Sequence, residues 1–196
     1  MLNFLRTMSI KNKIKTLSFF PLVFIICMSF YIDMDLYNKQ SKLVDVKEII
    51  DLNERISLLL HETQKERGIT SSFLGTKGAK FKDTLITQKE LTNKNIEEFK
   101  KTINKISVEK YPENGKNLID NVLKELSSIQ NIRSDVDSLA IDAKKAIAYY
   151  TDLNATLLSF VALTSTIADS ESTIKSIIAY YNFLMAKERA GIERAV

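Results

Sequence analysis

Breakers and reactive side chains are both scarce in this 196-residue sequence, which holds two prolines, five glycines, one cysteine, one histidine and no tryptophan. So few turn residues cannot punctuate a sheet, and no alternation of apolar and polar residues lasts long enough for a strand. Pro21 lies in an apolar run and Pro112 opens the turn signal YPENG at 111–115. Two proline-free blocks, 22–111 and 113–196, are left for long helices. The lone histidine, His61, has only Glu62 beside it, on another helix face, so it reads as a polar surface or hydrogen-bonding residue and not as a metal ligand. GTKGAK at 75–80 lacks the spacing and the Lys-Ser/Thr ending of a phosphate-binding loop and reads as a turn. Without a nucleophile and base, a metal set or a cofactor motif, we expect neither an enzyme nor a bound cofactor or metal.

The formal charge of +4 is confined to one end. Arg6, Lys11, Lys13 and Lys15 fall in the first sixteen residues with no acid among them, and the remaining basic residues are balanced by the 24 acids. This excludes a broad basic footprint for nucleic acid. Behind these charges comes LSFFPLVFIICMSFYI, Leu17–Ile32, sixteen uncharged residues. With flanking residues and the stem of Lys15 the run reaches membrane-spanning length. An uncleaved anchor is the preferred reading, because the bulky, acidic SFYIDMD offers no small-residue cleavage site. A cleaved signal peptide and a buried core helix are its competitors. The expected organisation is a cytoplasmic basic flank at 1–16, a single transmembrane anchor at 17–34 in the cytoplasmic membrane, and an extracytoplasmic domain at 35–196. Cys27 lies in the apolar run, so that domain has no disulfide or free thiol.

Beyond the anchor, apolar residues recur at helical spacing. One stripe reads Ile49, Leu52, Ile56, Leu60, Thr63, Arg67, Thr70, Leu74, and GTKGAK breaks it. A second helix is expected over about 81–106 on Phe81, Leu85, Gln88, Phe99, Ile103 and Ile106, and a third on Val122, Leu126, Ile129, Arg133, Val136 and Ala140. Asp142 caps a fourth to about Ala168, and Asp169 or Ser170 starts a fifth that runs to the end. The fold class is all-α: antiparallel helical bundles of long helices with an N-terminal transmembrane helix. The two IAYY segments, 147–150 and 178–181, read as aromatic contacts between neighbouring helices.

Only six of the 28 basic residues are arginines. Arg67 and Arg133 take stripe positions that apolar residues should fill, and Arg194 follows Phe183, Ala186 and Ala190 on one face of the fifth helix. Three guanidiniums facing a bundle interior require anionic partners, since each unpaired buried charge costs several kcal/mol. Internal carboxylates and a bound small anion both remain open. Glu66 and Glu193 do not neutralise their own neighbours, because adjacent residues point about 100° apart on a helix. Guanidinium favours planar oxyanions, which it grips through two parallel hydrogen bonds.

Three segments carry a resemblance. HETQKERGITSSFLGTKGAKF at 61–81, with its Gln-x-Glu-Arg-Gly core, AYYTDLNATLL at 148–158 and LMAKERAGIERAV at 184–196 are similar, in this order, to motifs of the nitrate- and nitrite-sensing (NIT) domain. The resemblance covers about 45–196 and implies an all-helical sensor of two packed helical bundles. It implies binding of nitrate or nitrite through arginines on different helices: Arg67 and Arg194, with Arg133 near the mid-domain position and Arg189 a weaker choice. Such domains continue past this last motif into an output module of chemoreceptor, kinase or RNA-binding type, so the domain is expected to be incomplete at its C-terminus. The expected partners are the small anion, the membrane and a second copy of the chain as a homodimer, with no nucleic acid. A non-sensory helical adaptor and a sensor of another small anion are the alternatives.

Overall fold

A computed structural model describes residues 9–106, 111, 113–168 and 170–195, apart from the side chains of 16, 38–45 and 195. Among the described residues there are five helices and no strand: α1 Ile10–Gly75, α2 Lys82–Ile103, α3 Glu113–Asp137, α4 Ala143–Thr164 and α5 Glu171–Ala195. The chain divides into two compact units, 1–45 and 46–196. In the first, the stretch Ile10–Tyr37 is long and apolar enough to cross a membrane, and its described side chains from Leu17 to Tyr37 are exposed. Pro21 lies inside this helix and does not end it. A missing N–H is tolerated in an apolar helix when neighbouring groups adjust around it.

In the second unit the helix ends follow local chemistry. α1 closes in a Schellman motif: Gly78 N–H bonds Phe73 O at 3.0 Å, Lys77 N–H bonds Leu74 O at 2.9 Å, and Lys77 takes the left-handed conformation. This is the break expected at GTKGAK. α3 closes the same way on Leu139 and Ala140. Asp142 caps α4 by accepting from Lys145 N at 2.9 Å, as expected. Ser170 caps α5 through Thr173 N at 3.1 Å, while Asp169, Pro112 and Val196 lie outside the described residues. Phe81 does not join the buried stripe of α2; it precedes the helix at φ 70° and is exposed.

The order of cross-helix contacts fixes the packing. Asn53, Thr63 and Arg67 of α1 meet Thr164, Asn154 and Thr151 of α4, so α1 and α4 are antiparallel. Lys89 and Asn93 of α2 meet Asp137 and Arg133 of α3, again antiparallel. His61 and Gln64 meet Lys187 and Glu188, so α1 and α5 run parallel.

The apolar core is in two parts. The larger includes Leu52, Ile56, Leu60, Phe99, Val122, Ile129, Leu157 and Phe160; the smaller is Phe73, Leu85, Val136 and Ala146. Between them on α1, α2 and α3 the buried residues turn polar, with Thr63, Glu66, Arg67 and Thr70 on α1, Gln88 and Thr92 on α2 and Arg133 on α3, and buried Asn154 of α4 and Glu188 of α5 join this layer. A buried ionic layer adds little net stability over a packed apolar one, so its presence calls for another reason.

Candidate functional site: a buried arginine–carboxylate layer under a basic cleft

Arg67 is 1% exposed and its guanidinium meets Glu188 of α5. Nη1 donates to Oε1 at 2.5 Å and Nη2 to Oε2 at 3.3 Å, while Nη1 also donates to Thr151 Oγ1 at 3.0 Å. Glu188, 4% exposed, receives two further donors: Gln64 Nε2 at 2.7 Å, and Asn154 Nδ2 at 3.3 and 3.4 Å from its two oxygens. Thr63 Oγ1 donates to Asn154 Oδ1 at 2.6 Å and thereby turns the amide's N–H groups toward the carboxylate. The result is a flat, singly charged oxyanion caged by a guanidinium and two amides from α1 and α4. Arg67 Nε is buried with no hydrogen-bond partner, so the cage leaves one strong donor unused.

Arg133, 3% exposed, makes a second and separate pair. Its Nε and Nη2 grip Glu66 Oε1 and Oε2 at 2.7 and 2.8 Å in the side-by-side geometry that guanidinium prefers. Nη1 donates to Asn93 Oδ1 at 2.6 Å, and Tyr150 Oη donates to Glu66 Oε1 at 2.7 Å. Burial pulls the Arg133 pKa down, but the Glu66 hydrogen bonds outweigh it and the net shift is upward. Burial, and then the Glu66 charge, hold the Tyr150 phenol well above its usual range. Arg133 therefore stays charged at neutral pH.

Arg194 is elsewhere. It is exposed at the end of α5, with Nε donating to Ala190 O at 3.1 Å. The buried stripe of α5 is Ile177, Leu184 and Glu188, which turns Phe183, Ala186 and Ala190 outward. The face expected to point inward thus points to the surface. Arg194 instead lines a cleft of about 450 Å³ between α1 and α5, together with His61, Gln64, Lys65, Gly68, Lys187 and Gly191. The three expected arginines do not meet in an empty interior: two sit on carboxylates from neighbouring helices, and the third stands at the rim of this cleft.

The cleft lining holds cations and no carboxylate. Glycine keeps it open. A Cβ on Gly191 would lie 2.8 Å from Arg67 Nη2, so the guanidinium reaches α5 only because that position has no side chain. A Cβ on Gly68 would meet nothing within 4 Å. Packing gives no reason for a glycine in the interior of α1, where it costs about 1 kcal/mol relative to alanine; room in the cleft does. His61 lies on the surface with Nδ1 2.9 Å from Lys187 Nζ, in keeping with the polar, hydrogen-bonding role expected for it. Burial, and then the Lys187 charge, lower its pKa, and burial lowers that of Lys187.

Sequence reasoning selected Arg67 and Arg133 as inward residues and missed Glu188, Gln64, Asn154, Tyr150 and Thr151. A signal for Glu188 exists: it follows Leu184 by four residues and precedes Gly191 by three, on the buried face of α5. Each of the three resembling segments supplies this layer: Gln64, Glu66 and Arg67 from the first, Tyr150, Thr151 and Asn154 from the second, Glu188 and Gly191 from the third.

A family model described as nitrate and nitrite sensing matches residues 58–196, which is more than half of the chain. The chain belongs to that family. Among solved structures, the NasR transcription antiterminator resembles this NIT chain with a TM-score of 0.75 at 22% identity, over 80% of this chain and 42% of that one. At that identity the likeness establishes the helical fold, and the NIT chain spans less than half of that structure's length. No curated protein matches it.

Proposed function

We propose that this chain is the sensing part of a membrane-anchored receptor for nitrate or nitrite, with residues 17–34 as the anchor and 35–196 outside the cytoplasm. The observation that carries the reading is the convergence of three separate motifs on a cage that already holds one flat oxyanion against Arg67, under a cleft lined by cations. Nitrate and nitrite share with that carboxylate a single negative charge and coplanar oxygen acceptors. Arg67 is the principal ligand, with its unused Nε available, and Arg194 at the cleft rim closes over the anion. Arg133 belongs to the same arginine set but acts through Glu66, holding α1 in register against α3.

Family membership supports the choice of anion. The exposed apolar run at Ile10–Tyr37 supports the anchor, since so much apolar surface is stable only in an apolar medium. Binding favours the arrangement of α5 against α1 that best satisfies Arg67 and Arg194, and a difference in affinity between two arrangements is what biases them. That shift is the signal passed to an output module of the chemoreceptor or kinase type, with the chain acting as a homodimer.

Isothermal titration of the full chain in detergent micelles with nitrate and with nitrite tests the proposal. Heat of binding in the wild type, strongly reduced in Arg67→Lys and little changed in Arg55→Lys, is expected. A folded wild type that releases no heat and gains no thermal stability with either anion would end it. A second reading, a helical adaptor whose arginines serve only as internal ion pairs, draws on the observation that Arg67 and Arg133 both already sit on carboxylates. It is favoured if stability is indifferent to anions yet falls on removal of either charge.

A further inference from the structure

The Glu188 carboxylate and the sensed anion compete for the same donors. We propose that Glu188 is an internal stand-in for the ligand, which latches α5 onto α1 in the empty state and gives way when a small oxyanion enters. The inference rests on the nitrate and nitrite reading of the same site and adds how that site is regulated.

Three observations carry it. First, Glu188 accepts from Gln64, Arg67 and Asn154, a denser set of donors than one ion pair needs and one that matches a free planar oxyanion. Second, the two buried pairs are built differently. Arg133 holds Glu66 through two short bonds to a carboxylate that also receives Tyr150, whereas the Arg67 pair has one short and one 3.3 Å bond and leaves Nε idle. The looser pair is the one beside the cleft, with Arg67 Nη2 against Gly191. Third, charge limits what the buried cage can hold. With Glu188 alone or one nitrate alone, Arg67 is neutralised; with both, a buried negative charge is left over, and with neither, a buried positive one, and each excess is costly.

Exchange therefore keeps the interior neutral. Glu188 leaves toward the cleft, where Lys65, Lys187 and Arg194 supply positive charge. Because Glu188 belongs to α5 and Gln64 and Arg67 to α1, releasing the latch frees α5 from the α1 bonds that this carboxylate makes, which is the structural change the sensor needs. Affinity is then lowered by the fraction of molecules in which the latch is shut.

The test is nitrate titration of the full chain in detergent micelles for wild type, Glu188→Gln and Glu188→Ala at matched chloride. Glu188→Gln keeps the packing volume and removes the charge; Glu188→Ala vacates the cage. With the latch shut in roughly ninety to ninety-nine molecules in a hundred, its removal tightens nitrate binding about 10- to 100-fold. Formate, which is the carboxylate head alone, is expected to raise the melting temperature of Glu188→Ala by more than that of wild type. If wild type binds nitrate and both variants bind it equally or more weakly, the latch is wrong and the sensing function stands. If Glu188→Ala does not fold, Glu188→Gln decides alone. If no form binds nitrate or nitrite, the sensing reading falls and takes the latch with it.

Discussion

Replacing Gly68 by alanine should make the protein more stable and a poorer binder at once. Gly68 lies within α1, seven residues before its last residue, and a Cβ there meets no atom within 4 Å. No clash opposes the substitution and no apolar contact rewards it. What remains is the backbone: alanine is favoured over glycine in a helix interior by about 0.8–1.0 kcal/mol. For a domain of this size that raises the melting temperature by about 2–4 °C. The same methyl projects into the cleft that Gly68 lines with Gly191 and Arg194. If it costs the bound anion one charge-assisted hydrogen bond, worth roughly 1.5–3 kcal/mol, the dissociation constant rises about 10- to 100-fold. Thermal unfolding followed by circular dichroism, with and without saturating nitrate, measures both effects on one sample. A higher melting temperature with unchanged nitrate affinity would show that the anion does not use this cleft. A lower melting temperature would show that the space around position 68 has been misjudged.

Other expectations follow from the same geometry. Glu66→Gln leaves Arg133 buried without a counter-charge and should destabilise by about 3–5 kcal/mol, a drop of roughly 6–20 °C in melting temperature. Gly191→Ala gains helix propensity but drives a methyl to within 2.8 Å of Arg67 Nη2, so nitrate binding should be lost in calorimetry while the melting temperature moves by only a few degrees, about the size set by the propensity gain. Acidification acts through His61, which faces Lys187, Lys65 and Glu62 and whose pKa is lowered from 6.5 by burial and by Lys187. In the window below 6.5 the unfolded chain takes up this proton more readily than the folded one, so this residue makes stability fall as pH falls. A bound anion at the cleft relieves the cost of the imidazolium, so the melting-temperature gain from nitrate should be larger near about pH 5.5 than near about pH 8, and His61→Gln should abolish the difference. An equal gain at both pH values would place the anion away from His61.

Helix positions were legible in the sequence because the local signals for them are strong. The stripe from Ile49 through Thr70 is buried as expected, GTKGAK ends α1, and Asp142 caps α4. Arg67 and Arg133 stood out as charges in apolar positions, and both are buried. Their partners did not stand out, because pairing Glu66 with Arg133 and Arg67 with Glu188 depends on how α1, α3 and α5 are rotated against one another. No single-helix period carries that information. Arg194 shows the same gap. Two faces of α5 hold apolar residues, and reading the one with Phe183, Ala186 and Ala190 as inward turned Arg194 inward, whereas Ile177 and Leu184 are the buried ones and Arg194 lies at the surface. Glycine was informative in a way that periodicity was not: Gly68 and Gly191 mark where a side chain would enter the cleft or meet Arg67.

A crystal structure of the protein grown with nitrate tests the central claim most directly. The account predicts a flat anion within hydrogen-bond distance of Arg67, with Arg194 drawn in from the rim and the Glu188 carboxylate moved off Gln64 and Asn154. An anion bound elsewhere, with Arg67 and Glu188 still joined, would contradict it.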